Sequence, residues 1–108
     1  MIEINGNTIT MTKGNTLCVR LTLTNKETGD PYEYHSGDEI EFEMREQPFD
    51  ENDPVMVKSI DPEILQFKLN PEDTEDLPCH VYEYRMTLNY GNGDRDTFIT
   101  GALLSLEP

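Results

Sequence analysis

The regular alternation of apolar and polar residues is clearest between residues 81 and 90. Every second residue there is aromatic or large and apolar, and most of the residues between them are polar. A period of two is typical of a β-strand that buries one face. The sequence therefore predicts a central strand over 81–90, whose inward residues are Tyr82, Tyr84, Met86, Leu88 and Tyr90.

The same alternation returns in shorter runs along the chain, separated by turn-forming residues. Further strands are predicted over 2–4, 8–12, 16–24, 39–45, 55–60, 64–69 and 96–106, with a shorter extended piece over 32–34. Glutamate and methionine in 39–45 also favour a helix, but Ile40, Phe42 and Met44 alternate strictly and favour a strand. Gly101 is a candidate β-bulge in the last strand.

Glycine, asparagine, aspartate and proline are concentrated between these runs. Asn-Gly-Asn at 5–7 and Gly-Asn-Gly-Asp at 91–94 predict tight hairpins. The segments 25–31 and 47–54 are dense in turn formers and predict exposed loops. The chain is therefore punctuated at short intervals, as in proteins built from many short strands.

Residues 71–77 predict one short helical turn, because Asn70 is a good N-cap and Pro71 suits the first helical position. Seven to nine strands with at most this one helical turn indicate an all-β fold, an antiparallel β-sandwich. We expect residues 1–108 to form a single domain. Its core is predicted to include Leu21, Phe42, Phe67 and Tyr84.

The net charge of the chain argues against some classes of binding partner. Asp and Glu number 22 against 8 Lys and Arg, which gives a formal net charge of −14. Such a surface repels phosphate backbones and anionic lipids, so neither nucleic acid nor a membrane is an expected partner. The N-terminus does not resemble a signal peptide and no long apolar segment is present. We expect synthesis in the cytoplasm.

The two cysteines, Cys18 and Cys79, match no zinc-binding spacing. A single disulfide between them is one alternative. Two free thiols are the favoured interpretation, because the cytoplasm is reducing.

Candidate catalytic chemistry is sparse in this sequence. His35 and His80 both fall in predicted turns, without the Cys or carboxylate spacing of a metal site. The Cys79-His80 pair does not make a nucleophilic dyad, because adjacent strand residues point to opposite faces. We expect no enzymatic activity and no cofactor.

Two acidic loops carry oxygen ligands at alternate positions, as calcium sites do. They contain Asp50 and Asp53 in one case and Asp94 and Asp96 in the other. Neither matches a twelve-residue calcium-binding loop, so a solvated loop is the favoured interpretation and calcium binding the alternative.

Tyr82 lies near the start of the central strand, just after an acidic turn. In immunoglobulin-like domains, a tyrosine at this point of strand F hydrogen-bonds back to the preceding segment and forms a tyrosine corner. Tyr84 stands where antibody domains have their second cysteine, and Val19 and Leu21 occupy the matching strand-B positions. Ordinary core packing of Tyr82 is the alternative, and no inter-sheet disulfide is expected.

Several stretches together resemble one group of immunoglobulin-like domains. They are MTKGNT (11–16), LTLT (21–24), NPEDT (70–74), LP (77–78), VYEY (81–84), GNGD (91–94) and GAL (101–103). The chain resembles, over nearly its whole length, small domains from phages and prophages of Gram-positive bacteria, similar to the N-terminal domain of baseplate upper proteins. This resemblance implies an immunoglobulin-like sandwich and a non-enzymatic structural or interaction module of a virion, in a tail or baseplate. The implied partners are other virion or tail proteins, or further copies of the chain.

The alternative is a stand-alone β-sandwich that binds carbohydrate or protein. A sugar-binding surface needs exposed flat rings. Tyr32, Tyr34 and Tyr90 are the candidates, and the packing of these rings against the core is the competing interpretation.

Overall fold

The structure is a computed structural model that describes residues 3–5, 7–24 and 28–108. Its strands are β1 (Glu3–Asn5), β2 (Thr8–Thr12), β3 (Leu17–Arg20), β4 (Glu39–Glu46), β5 (Pro54–Ile60), β6 (Gln66–Leu69), β7 (Val81–Asn89) and β8 (Arg95–Glu107). A 3-10 turn (Phe49–Glu51) and the one-turn helix α1 (Pro71–Thr74) complete it. The predicted turn residue Gly6, residue 2 of the first predicted strand and residues 25–27 of a predicted loop lie outside this description.

The strands form two sheets. One has six strands in the order β1-β2-β8-β7-β4-β5, and the other is the pair β3-β6. Phe42 of the large sheet meets Phe67 of the small sheet with ring centroids 4.4 Å apart, and Tyr84 lies 5.4 Å from Phe42. The aromatic contact between the sheets confirms the predicted all-β sandwich.

The inward residues of the strands form one buried cluster. Ile40, Phe42 and Met44 alternate inward on β4, so the strand interpretation of this segment is confirmed. Phe67 and Tyr84 are buried as predicted. The other buried apolar residues of this cluster are Ile9, Met11, Leu17, Ile60, Leu69, Tyr82, Met86, Leu88, Ala102, Leu104 and Leu106.

The prediction of a purely antiparallel sandwich is wrong at one pair of strands. β2 runs parallel to β8, with Ile9 opposite Leu104 and Met11 opposite Leu106. The large sheet is therefore mixed. A period of two is the same for parallel and antiparallel strands, so the sequence pattern carried no information on direction.

The two sheets differ in size. β3 and β6 form the small sheet, while β4, β7 and β8 are neighbours in the large sheet. β5 adds to the outer side of β4. The small sheet has only two strands in the described part of the chain, so it covers only part of the six-stranded sheet.

The strands of the small sheet are shorter than predicted. β3 ends at Arg20 and not at residue 24, and β6 begins at Gln66 and not at residue 64. Leu65, directly before β6, has φ +55°, a left-handed conformation that interrupts the extended backbone. Leu21, predicted in the core, is only half-buried because it lies just beyond this break.

The segment predicted as an exposed loop over 47–54 is partly buried. The 3-10 turn brings Phe49 back onto the outer face of the large sheet, where only 5% of its surface is exposed. Its ring lies between the guanidinium groups of Arg45 and Arg85, with Cζ atoms 4.7 and 3.9 Å from the ring centroid. The prolines and acidic residues around Phe49 predicted a solvated loop, and no local pattern indicated this contact.

The helical turn and the last hairpin were located correctly, with small differences in length. α1 starts at Pro71 after the N-cap Asn70, and it spans four residues of the predicted 71–77. The Asn70 N–H donates to Asp73 Oδ2 at 2.7 Å. β8 is bulged next to Gly101, which has φ +66°. The predicted extended piece over 32–34 is not a strand; an isolated bridge joins Thr24 and Pro31 instead.

Candidate functional site

Asp38 joins two loops at one end of the sandwich. Its Oδ2 accepts hydrogen bonds from the Tyr32 hydroxyl at 2.6 Å and the His35 N–H at 3.1 Å. Its Oδ1 accepts from the Gly91 N–H of the β7–β8 hairpin at 3.0 Å. Only 5% of Asp38 is exposed. A carboxylate buried with three donors holds both loops in one arrangement.

The pKa values of this group follow from the same contacts. The hydrogen bond from Tyr32 lowers the pKa of Asp38, and the N–H of Gly91 lowers it further against the effect of burial. Burial raises the pKa of Tyr32, and the bond to Asp38 adds to that rise. At neutral pH the pair is therefore a carboxylate accepting from a protonated tyrosine.

Close backbone packing reinforces this junction. A Cβ atom at Gly91 would lie 2.5 Å from the Ser36 carbonyl oxygen and 3.2 Å from the Gly37 Cα. Real side chains cannot make such a contact with backbone atoms, so the hairpin approaches the 36–38 turn only because residue 91 is glycine. The loops on both sides of this junction are consequently held at a fixed separation.

A cleft of about 1010 Å³ opens beside the junction. Its apolar and aromatic wall comes from β7, β8 and the segment that follows β3, and its charged side chains are all acidic apart from His35. We name it the acidic cleft; its lining residues are Leu23, Thr24, Thr28, Asp30, Pro31, Tyr32, Glu33, His35, Leu88, Tyr90, Asp96, Thr97 and Phe98.

A second opening of about 480 Å³ continues along the same side of the sandwich. It shares Leu23, Thr24 and Phe98 with the acidic cleft and reaches inward to Phe67 and Tyr84. Both openings are lined by the segment that follows β3 and by residues of β7 and β8. In that segment the Leu21 N–H donates to the Leu65 carbonyl oxygen at 2.7 Å, and the Leu23 carbonyl oxygen accepts from the Tyr32 N–H at 2.9 Å.

The aromatic residues proposed for ligand binding divide between the cleft and the surface. Tyr32 and Tyr90 line the acidic cleft and are half-buried, so each presents part of its ring. Tyr34 is 42% exposed and does not line it. Burial is the main cause that raises the pKa of Tyr90, and the nearby Asp96 carboxylate raises it further.

The candidate calcium ligands are not assembled into a site. Asp50 lies with its Oδ1 3.4 Å from an Arg85 nitrogen, and Asp96 lines the acidic cleft. Asp94 lies in the β7–β8 hairpin, where its backbone N–H donates to Asn92 Oδ1 at 3.0 Å. Asp53 is exposed. Across residues 3–5, 7–24 and 28–108, no three His, Cys, Asp or Glu side chains are grouped to hold a metal.

The histidines and cysteines are also dispersed. His35 lies 3.8 Å from Asp38, before β4, and His80 lies 3.6 Å from Glu46, at the other end of β4. The two imidazoles therefore do not meet. Cys18 and Cys79 are both exposed and free.

Tyr82 hydrogen-bonds back to the segment that precedes β7, which is the contact that the predicted tyrosine corner requires. Its buried ring places the hydroxyl 2.6 Å from the carbonyl oxygen of Pro78, four residues upstream. The hydroxyl of Tyr84, two residues along, donates to the carbonyl oxygen of Asn7. Burial raises the pKa of Tyr84 to about 12.

Sequence reasoning missed Asp38 and the apolar edge of β5. Asp38 follows Ser36 and Gly37 and looked like an ordinary turn residue, and no local pattern connects it with Gly91, 53 residues away. Val55 and Val57 lie in the strand predicted over 55–60 and are 38% and 54% exposed. The available signal was a β-branched residue at two of the three outward positions of this short strand.

No known protein-family model, curated protein or solved structure matches the chain. Among the helices of the described residues, none has the length and apolar character needed to cross a bilayer.

Proposed function

We propose that this chain is a non-enzymatic structural or interaction module of a phage or prophage virion, in a tail or baseplate. Its partners would be other virion proteins or further copies of the chain. The resemblance of seven short stretches to phage immunoglobulin-like domains supports the virion role. The β-sandwich supports the role of an interaction module, because such a scaffold presents loops and strand edges to neighbouring proteins.

The observation that carries the proposal is the outer edge of β5. This strand ends the order of the six-stranded sheet, and β4 is its strand neighbour within the described chain. A strand at such an edge offers backbone N–H and C=O groups for pairing with another chain. The exposed large apolar side chains of this strand are Val55 and Val57.

The edge lacks the charges that usually prevent strand addition. Its outward positions are Val55, Val57 and Ser59, none of which is ionised. The one lysine of the strand, Lys58, is held 2.6 Å from Asp73 and is three-quarters buried. Exposed lysines are a common protection of sheet edges, so an edge without one favours pairing with a partner.

Particles induced from the source bacterium provide the test. We expect the chain to be a stoichiometric component of purified particles, detected by mass spectrometry. V57K places a charge beside the edge and should reduce incorporation at least tenfold. I64K is the matched control, because Ile64 is an exposed apolar residue in the turn that follows β5 and is not part of the strand. Particles that lack the chain would refute the virion assignment.

A stand-alone binding domain for carbohydrate or protein is the second candidate. The observation that favours it is the position of Tyr32 and Tyr90 in the wall of the acidic cleft. Aromatic rings in a cleft are a common feature of small-molecule sites. Binding of a neutral glycan on an array, lost on substituting Tyr90 by alanine, is the expected result for this candidate.

A further inference from the structure

The acidic cleft combines an apolar wall with a rim of one charge sign. Its wall contains Leu23, Leu88 and Phe98, and its rim carries Asp30, Glu33 and Asp96. These three acids are exposed, while the wall residues are buried or half-buried. No lysine or arginine of the described segments lines the cleft. A ligand that fills it must therefore suit both an apolar surface and a negative field.

We propose that the acidic cleft binds an extended segment of a partner protein in which lysine or arginine stands beside an apolar side chain. This inference rests on the proposed interaction function and names the chemistry of its partner. The apolar side chain would pack against Leu23 and Phe98, and the cation would lie between the rim carboxylates. Clefts lined by one sign of charge concentrate the field and attract the opposite charge.

The aromatic residues of the cleft suit the same ligand. Tyr90 is half-buried beside Asp96, and Phe98 is half-buried next to it in the wall. A cation over the face of such a ring is attracted by its quadrupole, and the nearby carboxylate adds to that attraction. Tyr32 contributes its ring but not its hydroxyl, because that hydroxyl donates to Asp38.

The cleft is held open by contacts that do not depend on a ligand. Asp38 fixes the 32–38 segment to the β7–β8 hairpin through Tyr32 and Gly91. The close approach of Gly91 to Ser36 sets the separation of the two loops. A preformed site loses less entropy on binding than one that must order its loops.

The negative charge of the rim favours a cationic segment over the other ligands that could fill such a cleft. A second copy of the chain carries the same net charge of −14 and would be repelled at an acidic rim. A neutral sugar donates hydroxyl hydrogen bonds to carboxylates, but it carries no charge for the field of the rim to attract. A cationic segment gains from the rim and from the long-range field of the whole chain, so it is the occupant that the lining favours.

The test uses the full chain labelled with ¹⁵N and titrated with a short peptide, acetyl-Gly-Lys-Leu-Lys-Gly-amide. We expect amide shifts concentrated at Leu88, Tyr90, Asp96 and Phe98, and weaker binding as salt is raised. The same peptide with glutamate in place of lysine should give no shifts in the cleft. A neutral oligosaccharide should give none either.

Two double variants distinguish the effect of the rim charges on peptide binding from the effect of the net charge of the chain. Glu33→Gln with Asp96→Asn removes two charges from the rim and should weaken binding at least fivefold. Glu63→Gln with Glu72→Gln removes two exposed charges elsewhere and should weaken it less than twofold. Equal losses from the two variants would overturn the proposal, as would shifts outside the cleft or equal binding of the glutamate peptide or the sugar.

Failure of this site is distinguishable from failure of the proposed function. The particle experiment depends on the β5 edge, which is separate from the residues of the cleft. If the chain is found in particles and the lysine peptide does not bind, the cleft proposal is wrong and the assembly function stands. If the peptide binds and particles lack the chain, the virion role is wrong.

Discussion

The Tyr82 hydroxyl donates a hydrogen bond to the carbonyl oxygen of Pro78 at 2.6 Å. This bond ties the beginning of β7 to the segment that leaves α1, within one stretch of the chain. Tyr84 lies on the same face of β7, and its hydroxyl donates a hydrogen bond to the carbonyl oxygen of Asn7. The two tyrosines therefore attach β7 both to the segment that precedes it and to the turn between β1 and β2.

Removal of the first of these hydroxyls should destabilise the fold modestly. We expect Tyr82→Phe to lower the free energy of unfolding by about 1 kcal/mol, because one buried hydrogen bond is lost and the ring is kept. Denaturant unfolding followed by circular dichroism measures the change. Tyr34→Phe is the control and should change stability by less than about 0.5 kcal/mol, since Tyr34 is exposed. A change at Tyr82 no larger than that of the control would contradict a stabilising role of the corner.

Phe49 should contribute to stability although it lies in an irregular segment. Phe49→Ala is expected to cost about 3 kcal/mol, since a buried ring is removed. Phe49→Leu keeps apolar volume but loses the contact with Arg45 and Arg85, and should cost about 1 kcal/mol. The two costs are compared by chemical denaturation. Ile64→Ala, at an exposed turn, is the control, and a similarly small effect of Phe49→Ala would refute the buried position of this ring.

Stability should fall in acid because two carboxyl groups have lowered pKa values. The Tyr32 hydroxyl lowers the pKa of Asp38. Burial opposes ionisation of Asp73, but the hydrogen bonds from Lys58 and the Asn70 N–H, together with the Lys58 charge, outweigh it and lower that pKa too. The unfolded chain then binds protons more readily than the native chain at and below the ordinary Asp value of 3.8. Their stabilisation is complete well above that value and is lost as the pH falls through the native pKa values.

Thermal unfolding between pH 7 and pH 2.5 tests this pH dependence. We expect the melting temperature to fall steeply below about pH 4, where unfolded carboxylates begin to take up protons. Asp38→Asn should be less stable than the parent chain at pH 7, with a difference that narrows toward pH 2.5. A constant difference over the whole range would show that the charge of Asp38 is not involved.

Both thiols should react without unfolding. Cys18 and Cys79 are exposed and unbridged. Ellman's reagent added to the native chain should therefore release two equivalents of product, the same number as in denaturant. Cys18→Ser and Cys79→Ser should each leave one equivalent and leave the melting temperature nearly unchanged. No reaction before unfolding would contradict the exposed positions.

The alternation of side chains by itself determined the positions of most strands. Ile40, Phe42 and Met44 on β4, and Tyr82 to Leu88 on β7, are buried where the period of two placed them. Asn70 and Pro71 likewise located the start of α1, although the helix ends at Thr74 and not at residue 77. Such signals are readable because each depends on neighbouring residues: a pleat alternates faces, and a cap bonds its own helix.

Only the tertiary structure decided which strands pair, in which direction, and where the loops dock. The parallel pairing of β2 with β8, the return of Phe49 to the outer sheet face and the bond from Gly91 to Asp38 join residues without any shared periodicity. These contacts depend on the closing of the two sheets, which brings distant segments together. The composition determined the acid excess, but the fold decided that part of it surrounds an apolar cleft.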